Sequence, residues 1–464
     1  MLEIDGRDDE LKREARYRMM TESSVRRLVL KMSVPTILGM LVTAFYNLAD
    51  TFFVGRLSTE ATAGVGVSFA YMFFIQACGF FFGHGSGNYI SQALGARKYK
   101  DAETMAVTGF LTTFIIGAFA AVAGIIFLSP LSRLLGATQE IEPYSNDYLR
   151  YIILATPFMM SSLVLNNQLR LQGNARFAMI GIISGAVLNI ILDPIFIFTM
   201  DLGTTGASLA TCVSQIVGWT ILLIGTRFGG NVHIKLSRFS LTWKRFGQIA
   251  AGGLPSLARQ VFMCVSTVML NWAAAKYAEK GFEASSIAAF AVVTRYMMFT
   301  FSVVLGIGQG FQPVCGFNYG AGLIRRVREA FLFTTCVMTA FLVFAGIVSF
   351  VFAEGIVTLF RDEDAMLISI GEKAMRWRCV ALPLLGFSTA ANMMFQTTRK
   401  TFPATLLALG RQGIFFVPTI MILPVFFGLS GVMATQALAD VLTFVLTIPF
   451  IVREMKAWKE ICDK

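Results

Sequence analysis

The chain has 464 residues, of which 55% are hydrophobic and only 14% charged, and its mean hydropathy is +0.66. Soluble proteins carry about 25% charged residues, so the composition excludes a soluble protein and indicates one that crosses a membrane several times. The formal net charge of +11 is typical of basic loops on one side of a membrane and does not indicate nucleic-acid binding.

Twelve apolar segments are long enough for the roughly 20 residues of a membrane-spanning helix. The first six lie at about 33–54, 62–92, 106–128, 148–172, 177–199 and 206–226. The second six lie at about 250–276, 285–312, 330–353, 377–397, 403–427 and 431–452. We therefore predict an all-α, multi-pass membrane protein with twelve transmembrane helices, of which the second and eighth continue past the membrane.

The distribution of basic residues predicts the orientation. If both termini are cytoplasmic, the cytoplasmic segments hold most of the 39 Lys and Arg residues, as the positive-inside rule requires. The expected division of the chain is a cytoplasmic segment 1–31, an N-lobe 32–226, a cytoplasmic linker 227–249, a C-lobe 250–452 and a cytoplasmic tail 453–464. No cleavable signal peptide is evident in 1–31, which mixes acidic and basic residues without an apolar core.

The two halves of the chain form a tandem repeat. Four features recur in order at nearly one spacing: Pro35 and Pro255, the glycine runs 83–87 and 306–310, Pro157 and Pro383, and Gly203 and Gly428. Because each half has an even number of spans, both enter the membrane from the same side. The sequence thus predicts parallel, pseudo-symmetric six-helix bundles.

The repeated prolines and glycines have structural interpretations. Pro35 and Pro255 lie a few residues into their spans, where a missing N–H permits a kink. We expect the first helix to bend near Pro35 as a moving part of the protein. The run 83–87 has no preceding strand and no following Lys, so it is not a phosphate loop. Close helix packing and local unwinding are both compatible with it.

Two carboxylates, Asp50 and Asp193, lie inside apolar spans of the first half. Intramembrane acids are costly and mark ion or substrate paths. Asn189 and Asp193 share one helix face, and Thr211 lies at a similar depth. These oxygen donors suit a small cation or a shuttled proton. The alternative is that both acids only form hydrogen bonds to neighbouring helices, and burial alone does not distinguish H⁺ from Na⁺.

The matching spans of the second half carry arginines. Arg259 and Arg295 lie within predicted spans, and Asp440 is the only carboxylate well inside a span of this half. One interpretation is structural, with Arg295 paired to Asp440 or to carbonyls at helix ends. The other is that Arg259 and Arg295 line a cavity and favour an anionic or zwitterionic substrate. The sequence leaves both open.

Four segments, 35–57, 90–103, 188–198 and 206–215, resemble the multidrug and toxic compound extrusion (MATE) family, in particular its DinF/MepA-like prokaryotic branch. The resemblance implies a cation-coupled antiporter whose two six-helix lobes form a V around a central cavity. It also implies a coupling site in the N-lobe. The residues that match this site are Asp50, Asn189, Asp193 and Thr211, with Tyr46 and Asn166 as lesser members and Pro35 as the bending residue.

The expected function is secondary-active efflux of amphipathic, often cationic drug-like compounds in exchange for H⁺ or Na⁺. We expect no enzymatic activity, no cofactor, and no metal site beyond a Na⁺ bound at the N-lobe residues. The expected location is a prokaryotic cytoplasmic (inner) membrane, where the protein would act as a monomer in the lipid bilayer. The alternative function is a flippase or exporter of lipid-linked or anionic metabolites, which predicts a basic cavity and little dependence on ion gradients.

Overall fold

The computed structural model describes residues 2–228, 232–360 and 364–463, in which all regular structure is helical. The first eight helices are α1 (Leu2–Glu22), α2 (Val25–Val54), α3 (Thr59–Gly95), α4 (Tyr99–Ile126), α5 (Leu128–Leu134), α6 (Glu142–Leu171), α7 (Ala175–Pro194) and α8 (Gly203–Gly225). The others are α9 (Trp243–Lys276), α10 (Glu283–Gly320), α11 (Ile324–Val351), α12 (Ala353–Phe360), α13 (Ala365–Thr397), α14 (Thr401–Leu409) and α15 (Phe416–Cys462). π-Helical segments follow α7 (Ile195–Thr199) and α14 (Gly410–Ile414).

The prediction of twelve transmembrane helices is confirmed. Eleven helical stretches of the described residues are long and apolar enough to cross a membrane, and the last, Thr401–Ile461, has 61 residues. An unbroken helix of that length would extend about 90 Å, three times the thickness of a bilayer core. Gly428 divides the stretch into two spans, because its φ of 57° and ψ of −139° are not helical.

The repeat is visible in the turns of the backbone. Backbone conformations with positive φ occur at matched positions of the two halves: Arg97 and Gly322, Gly173 and Arg399, and Gly203 and Gly428. Helices α2, α3, α4, α6, α7 and α8 pack on one another as one bundle, and the helices from α9 onward form a second. We call these bundles the N-lobe and the C-lobe.

The ends of the chain and the linker are partly described. The segment before the first span is helical as α1, and its Arg13 forms an ion pair with Glu103 at 3.1 Å. Glu103 also pairs with Arg238 of the linker at 3.1 Å. Helix α9 begins at Trp243, inside the predicted linker 227–249. Residues 1, 229–231, 361–363 and 464 lie outside the described residues. The boundaries 31/32, 226/227, 249/250 and 452/453 stay predictions.

Glycines bring the two lobes into contact. Helix α2 packs on α10, and α3 packs on both α9 and α10. A Cβ atom on Gly85 would lie 2.3 Å from the carbonyl oxygen of Ile249, and one on Gly310 would lie 2.4 Å from the Cα atom of Ser33. Helix α3 is continuous through 83–87. Of the two interpretations of this run, the structure therefore supports close helix packing.

A buried polar network joins the two lobes close to these glycine contacts. Arg170 of α6 is 1% exposed and donates from Nη1 to the carbonyl of Gln309 at 2.7 Å and to Oε1 of Gln312 at 2.9 Å, both on α10. The imidazole of His84 lies between Nη2 of Arg170 (3.4 Å) and the hydroxyl of Ser256 on α9 (3.1 Å). The guanidinium of Arg170 is thus bonded to neutral partners from both lobes.

These contacts lie towards one side of the membrane. The aromatic rings of Phe45 on α2 and Phe299 on α10 meet with centroids 5.2 Å apart, about two thirds of the way along α2 and about halfway along α10. Among the described residues, the hydrogen bonds between the lobes all lie at this level or towards the end where α2 and α9 begin. The described hydrogen bonds between the lobes are therefore confined to one side of the membrane, which we call the sealed side, and two lobes arranged in a V would leave a cleft on the other side.

Candidate functional site

Three helices of the N-lobe bring the predicted coupling residues together. Helix α2 carries Asp50, α7 carries Asn189 and Asp193, and α8 carries Thr211. Helix α7 packs along both α2 and α8. The exposed fractions of the four residues are 4%, 1%, 0% and 0% respectively. Two carboxylates, an amide and a hydroxyl therefore share one buried location, which we call the acid site.

Hydrogen bonds order the acid site around Asn189. When the amide nitrogen faces Asp193, it donates to Oδ2 of that carboxylate at 3.0 Å. The amide oxygen then accepts from the hydroxyl and the backbone N–H of Thr211, both at 3.2 Å. This orientation pairs donors with acceptors at every contact. Asn189 thus fixes the position of Asp193 relative to α8.

Two tyrosines complete the acid site. Tyr46 lies one helical turn before Asp50, and Tyr148 enters from α6. Each interacts electrostatically with Asp50 and Asp193 and is close to the hydroxyl of Thr211. Tyr46 is among the residues that the family resemblance predicts, whereas Tyr148 is not. Nothing in the sequence around residue 148 marks it, because its role depends on how α6 packs against the other helices.

The acid site has unused hydrogen-bonding capacity. Oδ1 of Asp50 and the hydroxyl of Tyr148 are buried without a hydrogen-bond partner among the described residues. A buried polar atom left unpaired is unfavourable by about 1–3 kcal/mol. Asp50 and Asp193 also interact with each other, and two ionised carboxylates in a buried site repel. A proton or a small cation would relieve both conditions.

Asn166 is not part of the acid site. Its amide donates to the carbonyl of Ala178 at 2.9 Å, near the start of α7. Asn189 lies eleven residues further along that helix, or about 16 Å. In the C-lobe, Asn392 makes the equivalent hydrogen bond to the carbonyl of Ala404 at 2.6 Å. This bond is a feature of the repeat, so the resemblance placed Asn166 in the wrong environment.

The two predicted kink residues lie inside continuous helices. Pro35 is buried in α2, and Pro255 is buried in α9. Beside Pro35, the hydroxyls of Ser33 and Thr36 donate to the carbonyls of Ile307 (3.2 Å) and Gly306 (2.6 Å) on α10. The proline that was predicted to bend the first helix therefore lies where that helix contacts the other lobe.

In the C-lobe, Asp440 has a different partner from the one expected. Its Oδ1 accepts from Nε of Arg411 at 2.8 Å and from Nε2 of Gln436 at 3.0 Å. Arg295, which the structural interpretation paired with Asp440, is exposed on α10. The pairing of Arg295 with Asp440 is therefore wrong. The signal for Arg411 was present in the sequence, because it is also an arginine inside a predicted span.

Two more arginines surround this ion pair. Arg259 interacts electrostatically with Arg411, and Arg378 interacts with both Arg411 and Asp440. We call Arg259, Arg378, Arg411 and Asp440 the arginine cluster. Arg378 lies near the start of the predicted span 377–397 and well within α13, which begins earlier, at Ala365.

Comparison with known proteins gives consistent matches. The MatE family model matches residues 35–195 and again residues 255–422. The multidrug export protein MepA of Staphylococcus haemolyticus is 26% identical over 439 residues, which cover 94% of this chain and 95% of MepA.

Solved structures resemble the chain over nearly its whole length. One is described as the outward-facing conformation of a multidrug resistance MATE family transporter of the MOP superfamily. It has a TM-score of 0.89 and 26% identity and covers 95% of this chain and 98% of its own. Another is a MOP superfamily transporter from Pyrococcus furiosus, described as having a binding pocket of reverse polarity that suggests a different function. It has a TM-score of 0.88 and 25% identity and covers 96% of this chain and 98% of its own.

Proposed function

Because this chain belongs to the MATE family of membrane transporters, we propose that it exports amphipathic, often cationic organic compounds in exchange for H⁺ or Na⁺. Its relatives are multidrug export proteins and not enzymes. The coupling ion would bind at Asp50 and Asp193. The observation that carries this proposal is the acid site, in which two buried carboxylates interact, and Oδ1 of Asp50 and the hydroxyl of Tyr148 have no hydrogen-bond partner among the described residues.

Helix α2 connects the acid site to the seal between the lobes. Its second half carries Tyr46 and Asp50, whereas its first half carries Ser33 and Thr36, which are bonded to α10. Pro35 lies between these two hydroxyls and weakens the helix locally. Binding of a cation at Asp50 would change the electrostatic forces on the second half of α2. The result would be a bend near Pro35 that alters the contacts with the C-lobe.

The proposed orientation assigns a direction to the cleft. If both termini are cytoplasmic, the sealed side faces the cytoplasm and the cleft opens outward. In this state the acid site is positioned to take up a cation from outside, and that uptake would accompany release of the exported compound. Opposing gradients of ion and drug are then coupled because both act on the equilibrium between two lobe arrangements.

The test is ethidium transport in proteoliposomes under a ΔpH without Na⁺ and, separately, under a Na⁺ gradient without ΔpH. The Asp50→Asn and Asp193→Asn variants should lose gradient-driven transport by at least about tenfold, since each removes a charge of the acid site. Asp147→Asn is the matched control, because Asp147 is an exposed acid of the same lobe. Ethidium binding by each variant verifies that it is folded. Wild-type transport by Asp50→Asn would refute the assignment of the coupling site.

A second candidate function is gradient-independent movement of anionic or lipid-linked compounds. The arginine cluster favours this function, because it contains three arginines and only one carboxylate and therefore has an excess of positive charge. The same liposomes distinguish the two functions. A fluorescent anionic lipid that crosses the bilayer equally well with and without a gradient would favour the second, whereas ethidium efflux that requires ΔpH or Na⁺ favours the first.

A further inference from the structure

We propose that the arginine cluster binds the carboxylate or phosphate group of an amphipathic zwitterionic compound, which adds a defined anion subsite to the C-lobe. The cluster comprises Arg259 on α9, Arg378 on α13, Arg411 beside α14, and Asp440 on α15. This inference rests on the proposed function in one respect: the compound that binds to the cluster is one that the protein exports.

The first support is the charge of the cluster. Arg411 pairs with Asp440, Arg378 interacts with both of them, and Arg259 interacts with Arg411. The cluster therefore holds three guanidinium groups and one carboxylate, so two positive charges are not neutralised by its own residues. All four residues lie within spanning helices, where ionisable side chains are rare and mark substrate or ion pathways. A cluster that served only to connect helices would be more favourable with one arginine than with three, because like charges repel in a medium of low dielectric constant.

The second support is the number of free donors. Arg411 uses only its Nε to bond Asp440, and neither of its terminal nitrogens has a hydrogen-bond partner among the residues that the structure describes. Arg259 and Arg378 make no hydrogen bond to any residue in the described part of the chain, although each is half-buried. A guanidinium group has five N–H donors in a plane, and it binds carboxylate or phosphate through two parallel hydrogen bonds. The cluster thus has donors suited to a planar or tetrahedral anion.

The third support is the surroundings of Arg411. Its guanidinium lies over the ring of Phe301 at 4.1 Å from the centroid, and a Cβ atom on Gly413, two residues further on, would lie 2.6 Å from the ring of Phe262. Aromatic faces beside a few convergent polar groups are typical of sites for organic ligands. Arg411 also lies on the π-helical segment Gly410–Ile414, and such segments occur frequently at functional sites.

The positions of the two charged sites suggest a zwitterion. In the N-lobe, the π-helical segment Ile195–Thr199 directly follows Asp193 and Pro194 of the acid site. In the C-lobe, the π-helical segment of the matching eleventh span carries Arg411. The two lobes therefore present opposite charges. A compound with a positive and a negative group at opposite ends could have both recognised, whereas a simple organic cation would be repelled from the arginine cluster.

The test compares two dyes that differ in one group: tetramethylrhodamine, which carries a carboxylate, and its methyl ester. Binding to the full-length protein in phosphatidylcholine nanodiscs is measured by fluorescence polarisation at pH 7.5. The wild type should bind the acid more tightly than the ester. Arg378→Gln should weaken binding of the acid by about tenfold or more, as expected for loss of a charge-assisted hydrogen bond, and leave binding of the ester unchanged.

Two further variants serve as a second test of the cluster and as a control. Arg259→Gln breaks no hydrogen bond to the described residues and should act like Arg378→Gln even if the latter is unstable. Arg295→Gln is the matched control, since Arg295 is an exposed arginine of the same lobe outside the cluster. It should leave the affinities for both dyes unchanged. Wild-type protein that fails to bind the acid or prefers the ester overturns the proposal, as does a loss of acid binding that is equal in Arg259→Gln and Arg295→Gln.

Two further experiments identify the source of the anion and test the anion subsite independently of the proposed coupling site. Displacement of the dye when phosphatidylglycerol is added to the nanodiscs would identify a lipid headgroup as the natural occupant, whereas no displacement identifies a free solute. Asp50→Asn should abolish gradient-driven transport and retain the preference for the acid over the ester. The coupling proposal and the anion subsite can therefore fail independently.

Discussion

Replacing Gly85 by alanine should open the sealed side of the protein. The added Cβ would lie 2.3 Å from the carbonyl oxygen and 2.9 Å from the carbonyl carbon of Ile249 on α9. An ordinary contact begins at 3.4 Å, so the two helices must separate by about 1 Å. The clash is with backbone and not with the end of a flexible side chain, which means that a rotamer change cannot relieve it.

The expected magnitude follows from overpacking, which is unfavourable by about 1–3 kcal/mol. Because the clash exists only while α3 and α9 are in contact, this energy is removed when the lobes separate. The ratio of sealed to open molecules should therefore fall by roughly 5- to 150-fold. Spin labels at Lys98→Cys and Arg325→Cys, in a background without native cysteines, would report the change as a longer distance by electron paramagnetic resonance. Both positions are exposed on loops or helix ends of opposite lobes.

Gly66→Ala is the matched control. Gly66 lies on the same helix, and a Cβ there would have nothing within 4 Å. Both substitutions bring the same gain in helix propensity, about 1 kcal/mol, so the difference between them isolates the contact with α9. If the two variants gave the same distance distribution, close glycine packing would not be what holds the lobes together, and the interpretation of residues 83–87 would be refuted.

Two further predictions concern contacts that position the lobes and the amino-terminal helix. Arg170→Met removes charge-assisted bonds to Gln309 and Gln312, each worth about 1.5–3 kcal/mol, and should lengthen the same label distance; an unchanged distance would assign Arg170 no role in sealing. Glu103→Gln weakens the ion pairs with Arg13 and Arg238. Amide exchange in α1 should then rise about fivefold, corresponding to about 1 kcal/mol, with ethidium transport retained, and slower exchange would contradict this arrangement.

The sequence alone determined the class, the number of spans and the two carboxylates of the acid site. A bilayer satisfies no backbone hydrogen bonds, so each crossing must be a continuous apolar helix that hydropathy reveals. For the same reason, an acid inside such a helix is conspicuous, which identified Asp50 and Asp193. Helical spacing placed Asn189 and Asp193 on one face, and in the structure the amide group of Asn189 lies 3.0 Å from Oδ2 of Asp193.

Tertiary structure decided which residues of different helices meet. Spacing along one helix gives depth and face, but the rotation of each helix against its neighbours depends on packing. Tyr148 and Arg411 lie in distant segments, and only the arrangement of the bundles brings them to Asp50 and Asp440. Arg295 was as plausible a partner for Asp440 as Arg411 was, until the packing of α10 left it exposed. The sequence shows which charged residues lie inside membrane spans, whereas the packing of the helices determines which of them form pairs.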